Sequence, residues 1–218
     1  LHRKPHIPYR NWCSECIMGR GLCEQRGRHV GRPHDIPRVG IDYWFITTGS
    51  VKLRHELDFE QSTEGDAKLN EARKEGKVVK CLIIRCYETK CIFAYVVPVK
   101  GADEDGYAVQ LVVNAVVWLG HVRVILKSDG EPAVTKLVQE SLKEVKCSVE
   151  GLETATHERS GPYDSQANGG TEVGVRIVRG QFRTLRLCLE KRIGNKIPPK
   201  HPLTPWLLEH TTMLLNIC

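Results

Sequence analysis

The sequence predicts an α/β protein: a mixed five-stranded sheet flanked by helices, behind a small N-terminal arm rich in Cys and His. Three observations carry that expectation. Apolar runs rich in Val, Ile and aromatics alternate with helical stretches, in the order strand, hairpin partners, helix, strand, helix, strand, helix, helix. Metal-ligating residue types crowd into positions 1–38, as His2, His6, Cys13, Cys16, Cys23, His29 and His34. Finally, a loop of turn-formers beginning at Gly161 gives way at Thr171 to a long stretch of helical spacing that ends near Arg192.

In the arm, Cys13-Ser14-Glu15-Cys16 is a C-x-x-C, a spacing that lets two thiolates grip one tetrahedral ion. His2 and His6 are candidate partners for a zinc knuckle with Cys13 and Cys16, and the alternative is a half-site or cysteines without metal. Arg20 to Arg38 reads as a basic linker rich in Gly and Pro, so the domain boundary is set at residue 38.

The main domain, residues 39–218, opens with strand one, VGIDYWFITT from Val39. Asp42 interrupts that apolar run, and a carboxylate there is costly unless a cation or a hydrogen bond compensates it. Residues 49–77 are polar and weakly periodic and read as an exposed insertion. VVKCLIIRCYE and CIFAYVVPV form a hairpin through a tight Thr89-Lys90 turn. A helix follows from Asp103 to Leu119, with acids in its first turn and Gly120 to end it.

Strand four, VRVILKSD, delivers Asp129 at its C-terminal end, where ligands bind in α/β sheets. Glu131 is an alternative ligand in its place. Glu131-Pro132 opens the next helix, with Pro at a tolerated early position. Strand five is expected at Lys146 to Thr154, a mobile loop at 157–170, and a last helix at Leu203 to Asn216.

The stretch from Thr171 organises the rest. At about 100° per residue, Arg176, Arg179, Arg183, Arg186 and Glu190 fall within roughly 40° of Glu172. Ile177, Val178, Phe182, Leu185 and Leu189 take the opposite, core-facing side. A carboxylate suits a divalent metal and an arginine row suits a phosphate backbone; the plainer reading is an amphipathic helix with solvated charges. If Asp42, Asp129 and Glu172 converge through the fold, they form an oxygen cage for two divalent cations.

Composition narrows the class. The formal net charge is +6, but it is concentrated: residues 1–40 carry eight Lys/Arg against three acids, and 173–202 carry eight against one. A neutral-to-acidic body with two basic flanks points to a polyanion partner. No apolar run approaches the ~20 residues of a membrane span, and no secretory signal is visible. The nine cysteines, several inside apolar runs, suggest reduced thiols in an intracellular protein. The initial Leu suggests a fragment or a piece of a polyprotein.

Four stretches carry a family resemblance: HIPYRNWCSEC with its basic linker, GIDYWF, LKSDGEPA and GPYDSQANGGTEVGVR. In these the chain resembles the catalytic core of LTR-retrotransposon (copia-like) and retroviral integrases, of the ribonuclease-H-like superfamily. Asp129 is followed here by Gly130-Glu131, where the family motif usually has Asn-Gly. The resemblance implies a ribonuclease-H-like sheet, Asp42, Asp129 and Glu172 as the acidic triad, and two Mg²⁺ or Mn²⁺ ions. It further implies that Tyr163, Gln166 and Asn168 lie in an active-site loop that touches DNA. The expected activity is 3′-end processing and strand transfer into double-stranded DNA by a homo-multimer, in the nucleus. Arg176, Arg179, Arg183 and Arg186 are the expected DNA-backbone contacts. A ribonuclease-H-like nuclease and a degenerate domain that binds nucleic acid without catalysis are the alternatives.

Overall fold

Five strands form one mixed sheet in the order β3-β2-β1-β4-β5, with β1 at Arg38–Ile46, β2 at Val79–Cys86, β3 at Ile92–Val97, β4 at Arg123–Ser128 and β5 at Thr154–Arg159. The structure is a computed structural model and describes residues 5–8, 10, 12–20, 36–47, 78–149, 151–159 and 169–217. Its helices are α1 at Ser14–Arg20, α2 at Tyr107–Leu119, α3 at Pro132–Ser148, α4 at Gly169–Ile193 and α5 at Leu203–Ile217. The α/β class and the five-stranded mixed sheet flanked by helices are as the sequence predicts. The expected insertion at 49–77 and most of the basic linker lie outside the described residues.

The chain gathers into two compact units, one of His29–Trp44 and Lys80–Arg176, the other of Leu1–Arg28, Phe45–Val79 and Ile177–Cys218. In the first, β1 runs parallel to β4 and β4 parallel to β5, while β2 and β3 form an antiparallel hairpin. Val39, Ile41, Leu82, Ile83, Ile84 and Leu126 are fully buried in this sheet. Central strands covered on both faces read as near-continuous apolar runs, which is why they were legible.

Helix α2 packs on β3 and α3, and α3 packs on β4 and β5. Asp103 caps α2: its carboxylate accepts hydrogen bonds from the N–H groups of Tyr107 (3.1 Å) and Ala108 (3.0 Å). These are orphan donors of the first turn, and a carboxylate there also complements the helix dipole. Gly120 ends α2 at φ 66°, a left-handed position that favours glycine, and donates to the carbonyls of Val116 and Val117.

Strand five differs from its expected place. Helix α3 continues to Ser148 because Val134, Leu137, Val138, Ser141 and Val145 form one buried stripe. The strand follows at Thr154–Arg159, pairing Arg123 with Thr154 through Ser128 with Arg159. Its sequence, TATHER, is polar, and in this outer strand only Ala155 is buried. A sustained apolar run, the signal that marked the other strands, is missing there.

In the second unit α4 supplies Val178, Phe182 and Leu185 to a core completed by Ile197, Leu207 and Leu208. Cys13 and Cys16 of the N-terminal arm are also buried in this unit.

Candidate functional site

The register of the parallel strands brings two of the carboxylates together. Ile41 is paired with Ser128, so Asp42 and Asp129 are the next residues along neighbouring parallel strands. Both are half-buried, and Glu172, in the first turn of α4, is exposed. Burial pushes the Asp42 carboxyl up to about 6, and the negative charges of Asp129 and Glu172 push the same way. The Tyr43 N–H, 2.7 Å from Asp42 Oδ1, and the Lys100 ammonium oppose them. All three acids predicted from the sequence therefore share one electrostatic neighbourhood.

The start of α4 is fixed on the sheet by residues that the sequence reading did not single out. The Tyr87 hydroxyl lies 2.7 Å from Thr171 Oγ1, and Arg85 Nη1 donates to the Gly170 carbonyl. Gly40 makes room for this contact, since a Cβ there would stand 2.1 Å from Thr171 Oγ1 and 2.9 Å from the Tyr87 hydroxyl. Gly170 is equally tight, with Tyr87 Cζ at 2.7 Å from its would-be Cβ. The Gly169-Gly170 pair at the helix start was the available signal for such a close approach.

The turn carrying Asp129 is tied at several points. Asp129 Oδ1 accepts from the Glu131 N–H at 3.3 Å, and Arg159 Nη2 donates to the Gly130 carbonyl at 2.8 Å. Ser128 Oγ lies 2.9 Å from His157 Nε2, and burial, with Arg159 nearby, holds the His157 imidazole below its usual range. Glu131, the alternative ligand, is engaged by Lys100, whose Nζ also sits 5.4 Å from the Tyr43 ring centroid. Tyr43 in turn accepts the Gly101 N–H at 2.9 Å.

The arginine row is not uniform. Arg176 is exposed and Arg179 half-exposed, but Arg183 is only 9% exposed and Arg186 only 6%. Arg186 Nε donates to Glu190 Oε1 at 2.9 Å and its Nη2 donates to the Ile197 carbonyl at 2.5 Å, while the Ile197 N–H donates back to Glu190. These groups join the end of α4 to the turn that follows it. The expectation of four solvent-facing arginines thus fails at Arg183 and Arg186. The N-terminal arm lies along this part of α4: Gln181 Nε2 donates to the Pro5 carbonyl, and a Cβ on Gly19 would meet Thr184 Oγ1 at 2.2 Å. A helical wheel cannot see a covering segment that arrives from 170 or so residues away in the chain.

A second group of ligands sits in this arm. His6, Cys13 and Cys16 are buried, and their ligand atoms all lie within 4.8 Å of one another, so they could hold a metal such as zinc. His6 Nδ1 is 3.3 Å from Cys13 Sγ and 3.8 Å from Cys16 Sγ. A tetrahedral zinc with ordinary Zn–N and Zn–S bonds has an N···S edge of about 3.5 Å, so the donor set fits that ion. Among the described residues this is the one such trio; the three carboxylates are spaced more widely, as a set shared between two ions about 3.5–4 Å apart can be. His2, Tyr163, Gln166 and Asn168 lie outside the described residues. The described cysteines form no disulfide among themselves, and no helix of the described residues is long and apolar enough to cross a membrane.

No protein-family model matches the sequence, and no curated protein does. Among solved structures, the chain is similar to a chain of the simian T-cell lymphotropic virus intasome in complex with PP2A regulatory subunit B56 gamma. The identity is 10% and the TM-score 0.41, over 82% of this chain and 46% of the other. The present chain spans less than half the length of the one it matches.

Proposed function

We propose that this chain is an integrase-type polynucleotidyl transferase, which trims the 3′ ends of an element's DNA and joins them to target DNA. One observation carries the reading: the parallel register sets Asp42, within β1, beside Asp129, just past the end of β4, and the charge of Glu172 in the first turn of α4 acts on Asp42. Three carboxylates, one within β1, one just past β4 and one at the start of α4, with the pKa of the first raised, form an oxygen-rich site suited to hard divalent cations. Asp42, Asp129 and Glu172 would hold two Mg²⁺ or Mn²⁺ ions. Such ions, held there, would supply the Lewis acidity that favours attack at, and departure from, a phosphodiester.

The chain's own residues supply position. Tyr87 and Arg85 hold the first turn of α4, and so Glu172, against the sheet, while Lys100 occupies Glu131 and leaves the Asp pair for metal. Arg176, exposed one turn below Glu172, is the phosphate contact best supported within the arginine row. Partners are double-stranded DNA and further copies of the chain, since strand transfer joins two ends at once. His6, Cys13 and Cys16 bind zinc as a structural site.

The test is a nicking and strand-transfer assay on labelled duplex DNA in Mn²⁺, comparing the wild type with Glu172→Gln. Joined products that disappear in the variant support the reading. Cut but never joined products favour a nuclease, and DNA binding without either product favours a catalytically silent domain.

A further inference from the structure

We propose that Cys188 is the positioning residue for His6 in the metal site, its sulfur fixing the imidazole so that Nδ1 faces the metal. This rests on reading His6, Cys13 and Cys16 as that site. The His6 ring is contacted on both nitrogens. Nδ1 faces the sulfurs of Cys13 and Cys16, and Nε2 lies 3.3 Å from the Cys188 sulfur, on α4. A metal on Nδ1 uses that nitrogen's lone pair, so the proton of the neutral ring sits on Nε2, which then needs an acceptor. The Cys188 sulfur, 3.3 Å from Nε2, is placed to accept it. Ligating histidines ordinarily pass their second N–H to a carboxylate, carbonyl or water, and this orients the ring and raises its basicity.

Two features support a built arrangement. His6 is 4% exposed, so solvent cannot readily provide the acceptor. Its backbone is held at φ 54°, a left-handed conformation in which His is enriched among non-glycine residues but still uncommon. Cys188 does not belong to the trio of mutually close ligand atoms, which places it behind the histidine and not on the ion. Local sequence offers no hint of the link, because Cys188 is 182 residues from His6.

The experiment is a Co²⁺ titration of the reduced protein, read by thiolate-to-cobalt charge-transfer absorption, followed by Zn²⁺ competition. Cys188→Ala is expected to bind about 10–100-fold more weakly with the charge-transfer intensity per cobalt unchanged. Cys188→Ser, which keeps an acceptor, recovers most of the affinity. Equal affinity in wild type and Cys188→Ala overturns the proposal while leaving the metal site standing. A lower intensity per cobalt in Cys188→Ala makes Cys188 a ligand and overturns it as well. A wild type that takes up no cobalt sinks the metal reading itself. Should Cys188→Ala fail to fold, nitrogen-detected NMR of the zinc-loaded wild type decides: the His6 proton belongs on Nε2, and a proton on Nδ1 refutes the assignment.

Discussion

The Tyr87 hydroxyl meets Thr171 Oγ1 at 2.7 Å, one residue before Glu172. This contact links the turn after β2 to the first turn of α4, and it sets where the third carboxylate stands. Tyr87→Phe keeps the ring and removes the bond, at a cost of about 1 kcal/mol. Gly40→Ala is the harsher change, because its methyl collides with both partners, and overpacking of this kind costs about 1–3 kcal/mol. Urea unfolding should rank the two in that order. Mn²⁺ calorimetry should show weaker binding in both, and undiminished binding in Gly40→Ala would separate the contact from the site.

Asp42 gives the metal-free protein a pH dependence of definite sign. In the folded chain its carboxyl holds a proton up to about 6, whereas an unfolded Asp releases it near ~4. Between those values the native state binds more protons, so stability falls as pH rises through the window. Asp42→Asn removes the penalty and should be more stable than wild type by about 1–3 kcal/mol near neutral pH, with no advantage below pH ~4. Denaturant titrations without added divalent cation measure both ends.

The same carboxyl makes cation binding proton-linked. Below the Asp42 pKa of about 6, a proton must leave before a cation binds, so apparent Mn²⁺ affinity should drop by up to about tenfold per pH unit. Isothermal titration in two buffers of different ionisation enthalpy would register the released proton. Affinity that stays flat down to pH ~5 would argue against Asp42 as a ligand.

Arg176 and Arg186 should part company despite sharing a helical face. Arg186→Ala leaves the buried Glu190 with only Lys196 and the Ile197 N–H as partners, a loss of about 1–3 kcal/mol. Arg176 is exposed, so Arg176→Ala should leave stability within about 0.5 kcal/mol of wild type. It should nevertheless weaken DNA binding and flatten its salt dependence by close to one unit of slope. Thermal unfolding and fluorescence anisotropy across a salt series distinguish the two behaviours.

Zinc removal should act on the unit that contains the arm. With Cys13 and Cys16 buried beside His6, loss of the ion removes a cross-link among the three, and a strong chelator should lower the thermal midpoint. Restoring Zn²⁺ under reducing conditions should restore it. Cys13→Ala should show the low midpoint with or without chelator.

Much of the fold could be read from the chain because it is written in local pattern. β1 to β4 are largely apolar runs, and α2 is preceded by Asp103, whose carboxylate caps its first turn, and followed by Gly120. β5 was misplaced because an outer, polar strand lacks that pattern, and because the buried stripe of α3 runs on to Val145. The three carboxylates were legible as residues, through motif order and through the cost of an acid in an apolar strand. Glu131 and Asp129 could not be ranked until Lys100, 31 residues away in sequence, was seen to engage Glu131.

The sequence alone thus determined most of the elements, the sheet class, the acid triad as candidates and the C-x-x-C. Propensity and hydrophobic period are properties of short windows and survive without coordinates. Only the tertiary structure decided what each element meets. It set Asp42 beside Asp129 through parallel register, seated Thr171 under Tyr87, buried Arg183 and Arg186, and brought Cys188 to His6. Those outcomes depend on contacts between residues far apart in the chain, and burial and electrostatics are set by such neighbours, not by adjacent residues.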